Sequence, residues 1–370
     1  MAMLTRRDLA RRSAVALASL FARPRTLNSA APGSLSLSLV HEFHDTRLLD
    51  VAADGTKLCL EDWKIPGYPV RAVETNTFRT IYSGNFHVRA LSVGFFADGQ
   101  ALFLNFAGAA HEFVHRQTVV DVSTGERTDR MPTFNPFQYF DSTHPSIDRT
   151  LLVMHYEHKP RHTLTWLSRV EFPSYRELVR VHLPAELTDA RAGTGVAFSD
   201  DRQFMLYFFG NALVCRRTVD LGVVWTRPFE PDIRALPSGI SAHGELVAAT
   251  IVRGTIDGPF ERYTQLHVCV YDGKTGAEVA RLPLTSRVSL SADGRLLTDA
   301  AREPGKKGEV LATVQIYEAS SGARVASVLH DRIPKGRHQW GLSLCGARFT
   351  SDGNYMITSG MTTKMWRVEG

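Results

Sequence analysis

One local pattern constrains this 370-residue chain more than any other: a short apolar strand runs into a tight turn and a second apolar strand leaves it, seven times over. The copies are Leu49-DVAADG-Thr56, Val93-GFFADG-Gln100, His144-PSIDR-Thr150, Val196-AFSDDR-Gln203, Ile240-SAHG-Glu245, Val288-SLSADG-Arg295 and Ala347-RFTSDG-Asn354. Tight hairpin turns need positive φ, which Gly tolerates freely and Asp better than most, so Asp-Gly between apolar runs is a turn with a mechanism. With Asp54, Asp98, Asp148, Asp200, His243, Asp293 and Asp352 as reference points, the copies are 44, 50, 52, 43, 50 and 59 residues apart. Periods in this range are those of four-stranded propeller blades.

A second pattern follows in several copies, where a β-branched or aromatic run ends in an acid, three residues and a glycine. It stands at Val119-VDVSTG-Glu126, Val270-YDGKTG-Ala277 and Ile316-YEASSG-Ala323. The last two lead into further short strands, so each repeat holds about four strands joined by three turns. No segment beyond the N-terminal leader shows sustained helical periodicity. The two motifs together resemble the WD40 and YVTN repeats of the β-propeller superfamily, over residues 35–370. The chain departs from the WD40 pattern in having no Gly-His pair and no Trp-Asp in the usual role; Trp366 in Lys364-MWRV comes nearest. The resemblance implies an all-β fold, a seven-bladed β-propeller of four-stranded antiparallel blades.

The two ends of the repeat region are complementary. The last copy stops after the run 361–368, its third strand, while Ser34-LSLSLVHEF before the first hairpin is a lone segment with alternating Leu35, Leu37 and Leu39. This predicts that the N-terminal strand joins the last blade, which removes an exposed sheet edge. A flexible linker is the alternative.

The net charge of +5 lies wholly in residues 1–31, where Arg6, Arg7, Arg11, Arg12, Arg23 and Arg25 face a single Asp8. The neutral remainder has no general electrostatic footprint for nucleic acid. Thr5-Arg6-Arg7-Asp8-Leu9, ahead of the apolar run Ala14–Ala22 and the small residues Ser29-Ala30-Ala31, resembles a twin-arginine export signal. A periplasmic or secreted location follows if Arg6 and Arg7 act as that signal. A cytoplasmic one follows if the segment is only a basic tail, and an organellar presequence is a third option. No run reaches the roughly 18 apolar residues of a membrane-spanning helix.

No catalytic constellation emerges. His111-Glu112-Phe113-Val114-His115 spells the zincin string, but that motif works on a helix, where residues four apart share one face. Between two strands, side chains four apart stand about 13 Å from one another at a rise of about 3.3 Å per residue. His155, His158 and His162 fall around one inter-strand loop and read as part of a solvated basic segment. Cys59, Cys215, Cys269 and Cys345 are far apart, lie in apolar runs, and form no CxxC pair, so buried thiols are expected. No P-loop, dinucleotide fingerprint or nucleophile elbow occurs, and neither a metal nor a cofactor is expected.

If the Asp-Gly turns share one rim, the longer, more varied connections share the other. These bring Arg161, Arg253, Arg262, Tyr263, Arg337 and Trp340 to one side, and arginine beside aromatics is the chemistry of binding hot spots. The expectation is a non-enzymatic scaffold that binds a protein or peptide through this rim. The alternative the resemblance implies is a lactonase-like or quinoprotein-dehydrogenase-like enzyme with a site in the central channel.

Overall fold

The computed structural model describes residues 35–86, 90–106, 116–130, 139–157, 163–183, 195–257, 260–284, 288–306, 309–333, 346–360 and 362–370. They form seven antiparallel four-stranded sheets. Blade 1 runs from Thr46 to Gly84, blade 2 from Ala90 to Arg130, blade 3 from Tyr139 to His182 and blade 4 from Val196 to Pro228. Blade 5 runs from Ile233 to Leu282, blade 6 from Val288 to Ile333, and blade 7 from Gly346 to Glu369. In blades 1 to 6 the strands pair in chain order. In blade 7 the strand Ser36–Phe43 supplies the fourth, outermost position, antiparallel to Thr363–Glu369 with Leu37 opposite Val368. The predicted closure is therefore present, and the chain is a seven-bladed β-propeller.

Seven apolar clusters sit between blades, one at each junction around the ring. Leu102 and Leu104 of blade 2 pack on Val70 and Ala72 of blade 1, for example, and Met205 and Tyr207 of blade 4 pack on Leu152 and Met154 of blade 3. The junction of blades 7 and 1 is closed by Phe43, Leu58, Leu60, Val73, Ile357 and Met365. Residues on both faces of the middle strands are buried, as in Leu58-Cys59-Leu60 and Leu151-Leu152-Val153. That is why these runs are continuously apolar rather than alternating.

The third copy, which has no glycine, still forms a regular blade. Its turn places Asp148 and Arg149 at φ 51° and 52°. The acid-x-x-x-Gly turn likewise extends to blades where the sequence hides it. Gly125, Gly276 and Gly322 take positive φ, and the same position is Phe78, Tyr175 and Leu221 in blades 1, 3 and 4, at φ of 58°, 57° and 56°. Left-handed backbone costs a side chain about 1 kcal/mol. Here apolar burial offsets it: Leu221 is fully buried, and Phe78 and Tyr175 pack on inter-blade clusters.

Cys59, Cys215 and Cys269 are buried free thiols, as expected, and burial pushes the Cys215 thiol up to about 12. Cys345 and the leader with Arg6 and Arg7 lie outside the described residues.

Because Phe43 is 7% exposed and seals the blade 7–blade 1 junction, Phe43→Ala is expected to lower the unfolding free energy by about 3 kcal/mol. Leu39→Ala, on the same strand but 49% exposed, is expected to change it by less than about 1 kcal/mol. Denaturant unfolding of the two variants checks this.

Candidate functional site

The seven innermost strands surround a central channel of about 330 Å³. One residue before the end of each strand, at the same place in every repeat, stand Asp50, Gly94, His144, Ala197, Gly239, Ser289 and Arg348, and all seven line the channel. Four of these are small, which opens the channel at this level, and three carry chemistry. The hairpin after Val196–Phe198 adds two more polar groups, Asp200 and Arg202.

Both arise from departures in the repeat. Five of the seven hairpins put glycine at the positive-φ turn position: Gly55, Gly99, Gly244, Gly294 and Gly353. Blade 4 has Arg202 there, at φ 58°. The residue two places earlier is Ala53, Ala97, Ile147, Ala242, Ala292 or Ser351 in the other blades, and Asp200 in blade 4. The alignment of seven hairpins above takes Asp200 as the blade 4 turn acid. The structure corrects this by one residue: Asp201 accepts from the Ser199 hydroxyl and the Gln203 amide, as Asp293 does from Ser291 and Arg295. Asp200 is thereby free to face the channel.

Asp50, 3% exposed, is the centre of the charged floor. Its Oδ2 accepts from the Phe95 amide at 2.8 Å and from Arg202 Nη2 at 2.8 Å, and its Oδ1 accepts from Arg348 Nη1. A Cβ on Gly94 would stand 3.2 Å from Asp50 Oδ2, so the bare backbone there makes room for the carboxylate. Blades 2 and 3 separate blade 1 from blade 4, so the Arg202–Asp50 bond reaches across the channel. Arg202 also lies over the Phe198 ring at 5.4 Å, and His144 stands 5.3 Å from the same ring.

The electrostatics follow from this enclosure. Burial acts to lower the Arg348 guanidinium, but Asp50, Asp200 and the hydrogen bond to Asp50 outweigh it and hold it above its ordinary value. Its side chain is nonetheless 42% exposed, because the surrounding blades leave it open to channel water. Burial raises the Asp200 carboxyl, against the opposing pull of Arg348 and Arg202. Burial, then the charge of Arg202, lowers His144 to about 4.

A second polar chain links blades 6 and 7. Trp366 Nε1 donates to Thr358 Oγ1 at 2.9 Å, and Thr358 Oγ1 lies 2.8 Å from His330 Nδ1. His330 Nε2 is 3.3 Å from Asp331, which also accepts from Lys364 at 3.2 Å. Fully buried, His330 is lowered to about 4, burial being the main cause. None of its residues lines the channel, and it joins the outer strand of blade 6 to blade 7, so it pins the two blades.

The hairpin turns share one rim. Arg149 pairs with Asp98 of the preceding blade at 2.9 Å, and the Ala242 amide bonds the Ala292 carbonyl at 3.0 Å. The Asp201 amide bonds Ala242 in turn. Of the candidate binding residues, Arg253 is described with its side chain. Arg253 pairs with Asp232 at 2.9 Å, both about half exposed. Arg262 and Tyr263 lie on the strand Phe260–Asp272 opposite Thr255 and Gly254, but their side chains fall outside what is described. Arg161, Arg337, Trp340 and the string His111–His115 fall outside the described residues altogether, the string lying between the strands Ala101–Phe106 and Arg116–Asp121. His155 belongs to a strand, 2.8 Å from the Ser168 hydroxyl and stacked on Trp166. Among the described residues, no group of three or more His, Cys, Asp or Glu is placed to hold a metal ion, and no helix is long and apolar enough to cross a membrane. Sequence reasoning missed the floor: Arg202 stands in a glycine position and Asp200 in a small-residue position only once the structure aligns the hairpins on Asp201.

No family pattern matches the chain, and no curated protein matches it in sequence. Among solved structures, the β-propeller domain of Cps50 (Swd1) from Myceliophteria thermophila is similar with a TM-score of 0.50 at 10% identity. The match covers 91% of this chain and 100% of that one. At this identity the likeness concerns the fold. The protein is a β-propeller of seven blades.

Two outcomes follow from the floor and the buried histidines. Asp50→Asn leaves Arg202 and Arg348 without their anion and is expected to destabilise by about 3 kcal/mol in denaturant unfolding, the low end for a buried pair because water reaches Arg348. His144 and His330 are both lowered in the fold, so the unfolded chain takes up their protons first. Stability is full above about pH 6.5 and is lost as pH falls towards 4. Unfolding free energies at neutral and acid pH check this, and His144→Gln should shrink the difference.

Proposed function

We propose that this protein is a non-enzymatic scaffold that binds a protein or peptide partner on the rim opposite its hairpin turns. The observation that carries the reading is the inequality of the two rims. The hairpin rim consists of tight turns whose polar groups bond one another from blade to blade, as at Arg149–Asp98 and Ala242–Ala292. The opposite rim carries the long connections, from Arg130 to Tyr139, His182 to Val196 and Ile333 to Gly346. Long connections on a rigid ring are where binding residues are free to vary, and these include Arg337 and Trp340. The WD40-like fold supports a protein partner by analogy. In the same reading the basic leader with Arg6 and Arg7 directs export, so that the partner is met in the periplasm or outside the cell.

The test is affinity capture from extracts of the source cells, with cross-linking, using the wild-type chain, a triple Arg161→Ala, Arg337→Ala, Trp340→Ala variant, and Lys274→Ala on the hairpin rim as control. Proteins recovered by the wild type and the control, and lost by the triple variant, are the expected result. Equal recovery by all three overturns the rim assignment. Fractionation of cells carrying Arg6→Lys, Arg7→Lys tests export: accumulation in the cytoplasm is expected.

A further inference from the structure

We propose that the floor of the central channel binds a small zwitterion, a free α-amino acid, with its carboxylate on the Arg348 guanidinium and its ammonium on the Asp200 carboxylate. The site is distinct from the loop rim, so its test leaves the rim reading untouched.

Ring closure accounts for part of the floor and leaves the rest over. Asp50 takes three donors and in doing so holds Arg202 and one nitrogen of Arg348. Asp200 feels the charges of Arg348 and Arg202, but among the described residues no hydrogen bond reaches its carboxylate, and burial works against its charge. A carboxylate set into a half-buried wall without a donor opposes folding rather than assisting it. Arg348, for its part, turns a partly exposed guanidinium into the channel with donors beyond the one that Asp50 uses. A guanidinium in this state is suited to a carboxylate, which it can meet with two parallel bonds.

The charge count selects the ligand. Asp50 and Asp200 balance Arg202 and Arg348, and His144 is neutral at physiological pH. A net-neutral floor has no surplus field for a simple anion or cation. It offers one available group of each sign, and a molecule that carries one of each satisfies both without leaving a charge unmatched. Apart from Asp50, His144, Asp200, Arg202 and Arg348, the described residues lining the channel carry no charge, which suits an uncharged side chain. The volume of about 330 Å³ is at the small end for ligand pockets.

The experiment measures the melting temperature of the full chain, and binding by calorimetry, with each of the standard amino acids in turn. Acetate, methylammonium and glucose serve as probes of a single anion, a single cation and a neutral polyol. At least one uncharged-side-chain amino acid is expected to raise the melting temperature saturably, while the three probes do not. Asp200→Asn is expected to melt no lower than wild type without ligand and to bind that amino acid at least about tenfold more weakly, the effect of one charge-assisted contact. Four results overturn the proposal: no amino acid binds; acetate or glucose does as well; Asp200→Asn binds with unchanged affinity; or Asp200→Asn melts markedly lower, which makes Asp200 a structural residue.

Discussion

The pairing of Ser36–Phe43 with Thr363–Glu369 is the interaction on which the rest of this molecule depends. Six blades are complete within their own stretch of chain, and each junction between them is sealed by side chains on consecutive segments. Blade 7 is not: without the N-terminal strand it has three strands and an open edge. The strand that completes it also carries Phe43 into the junction with blade 1 and Leu35 and Leu37 into the junction with blade 6. One sheet pairing thus completes a blade, seals two junctions and ties the two ends of the repeat region together. A ring cannot be partly closed, so this contact is worth more to the fold than its area alone suggests.

Within the ring the turns obey backbone sterics before they obey sequence. Positive φ is required at the same two places in the blades, and glycine meets the requirement most cheaply. Where a different residue stands, it has a use for the side chain that outweighs about 1 kcal/mol of backbone strain. Leu221, Phe78 and Tyr175 fill inter-blade clusters, Arg149 bridges to Asp98 of the neighbouring blade, and Arg202 reaches Asp50 across the channel. Departures from glycine in this repeat therefore mark positions where the tertiary structure makes a demand.

Arg202 is the position at which closure and site chemistry meet. Its bond to Asp50 links blades 4 and 1, and the Asp50–Arg348 bond extends the link to blade 7. The small residues Gly94, Ala197, Gly239 and Ser289 at the same level leave the space in which these three side chains sit. Arg348 and Asp200 are the members of this group with capacity left over, and both face the channel rather than the core.

The amino-acid sequence alone determined the repeat, the number of blades, the order of strands and the partner of the N-terminal strand. All of these rest on local apolar patterning and turn chemistry, which are written in neighbouring residues. It could not reveal the three disguised copies of the second turn, because Phe78, Tyr175 and Leu221 replace the glycine that signals it, nor separate the turn acid Asp201 from the channel acid Asp200. The grouping of Arg161, Arg253, Arg262, Tyr263, Arg337 and Trp340 on one rim is an expectation from loop composition alone. The floor was decided by the tertiary structure. Asp50, Arg202 and Arg348 are up to 298 residues apart, and only closing seven blades into a ring brings their charges within bonding distance.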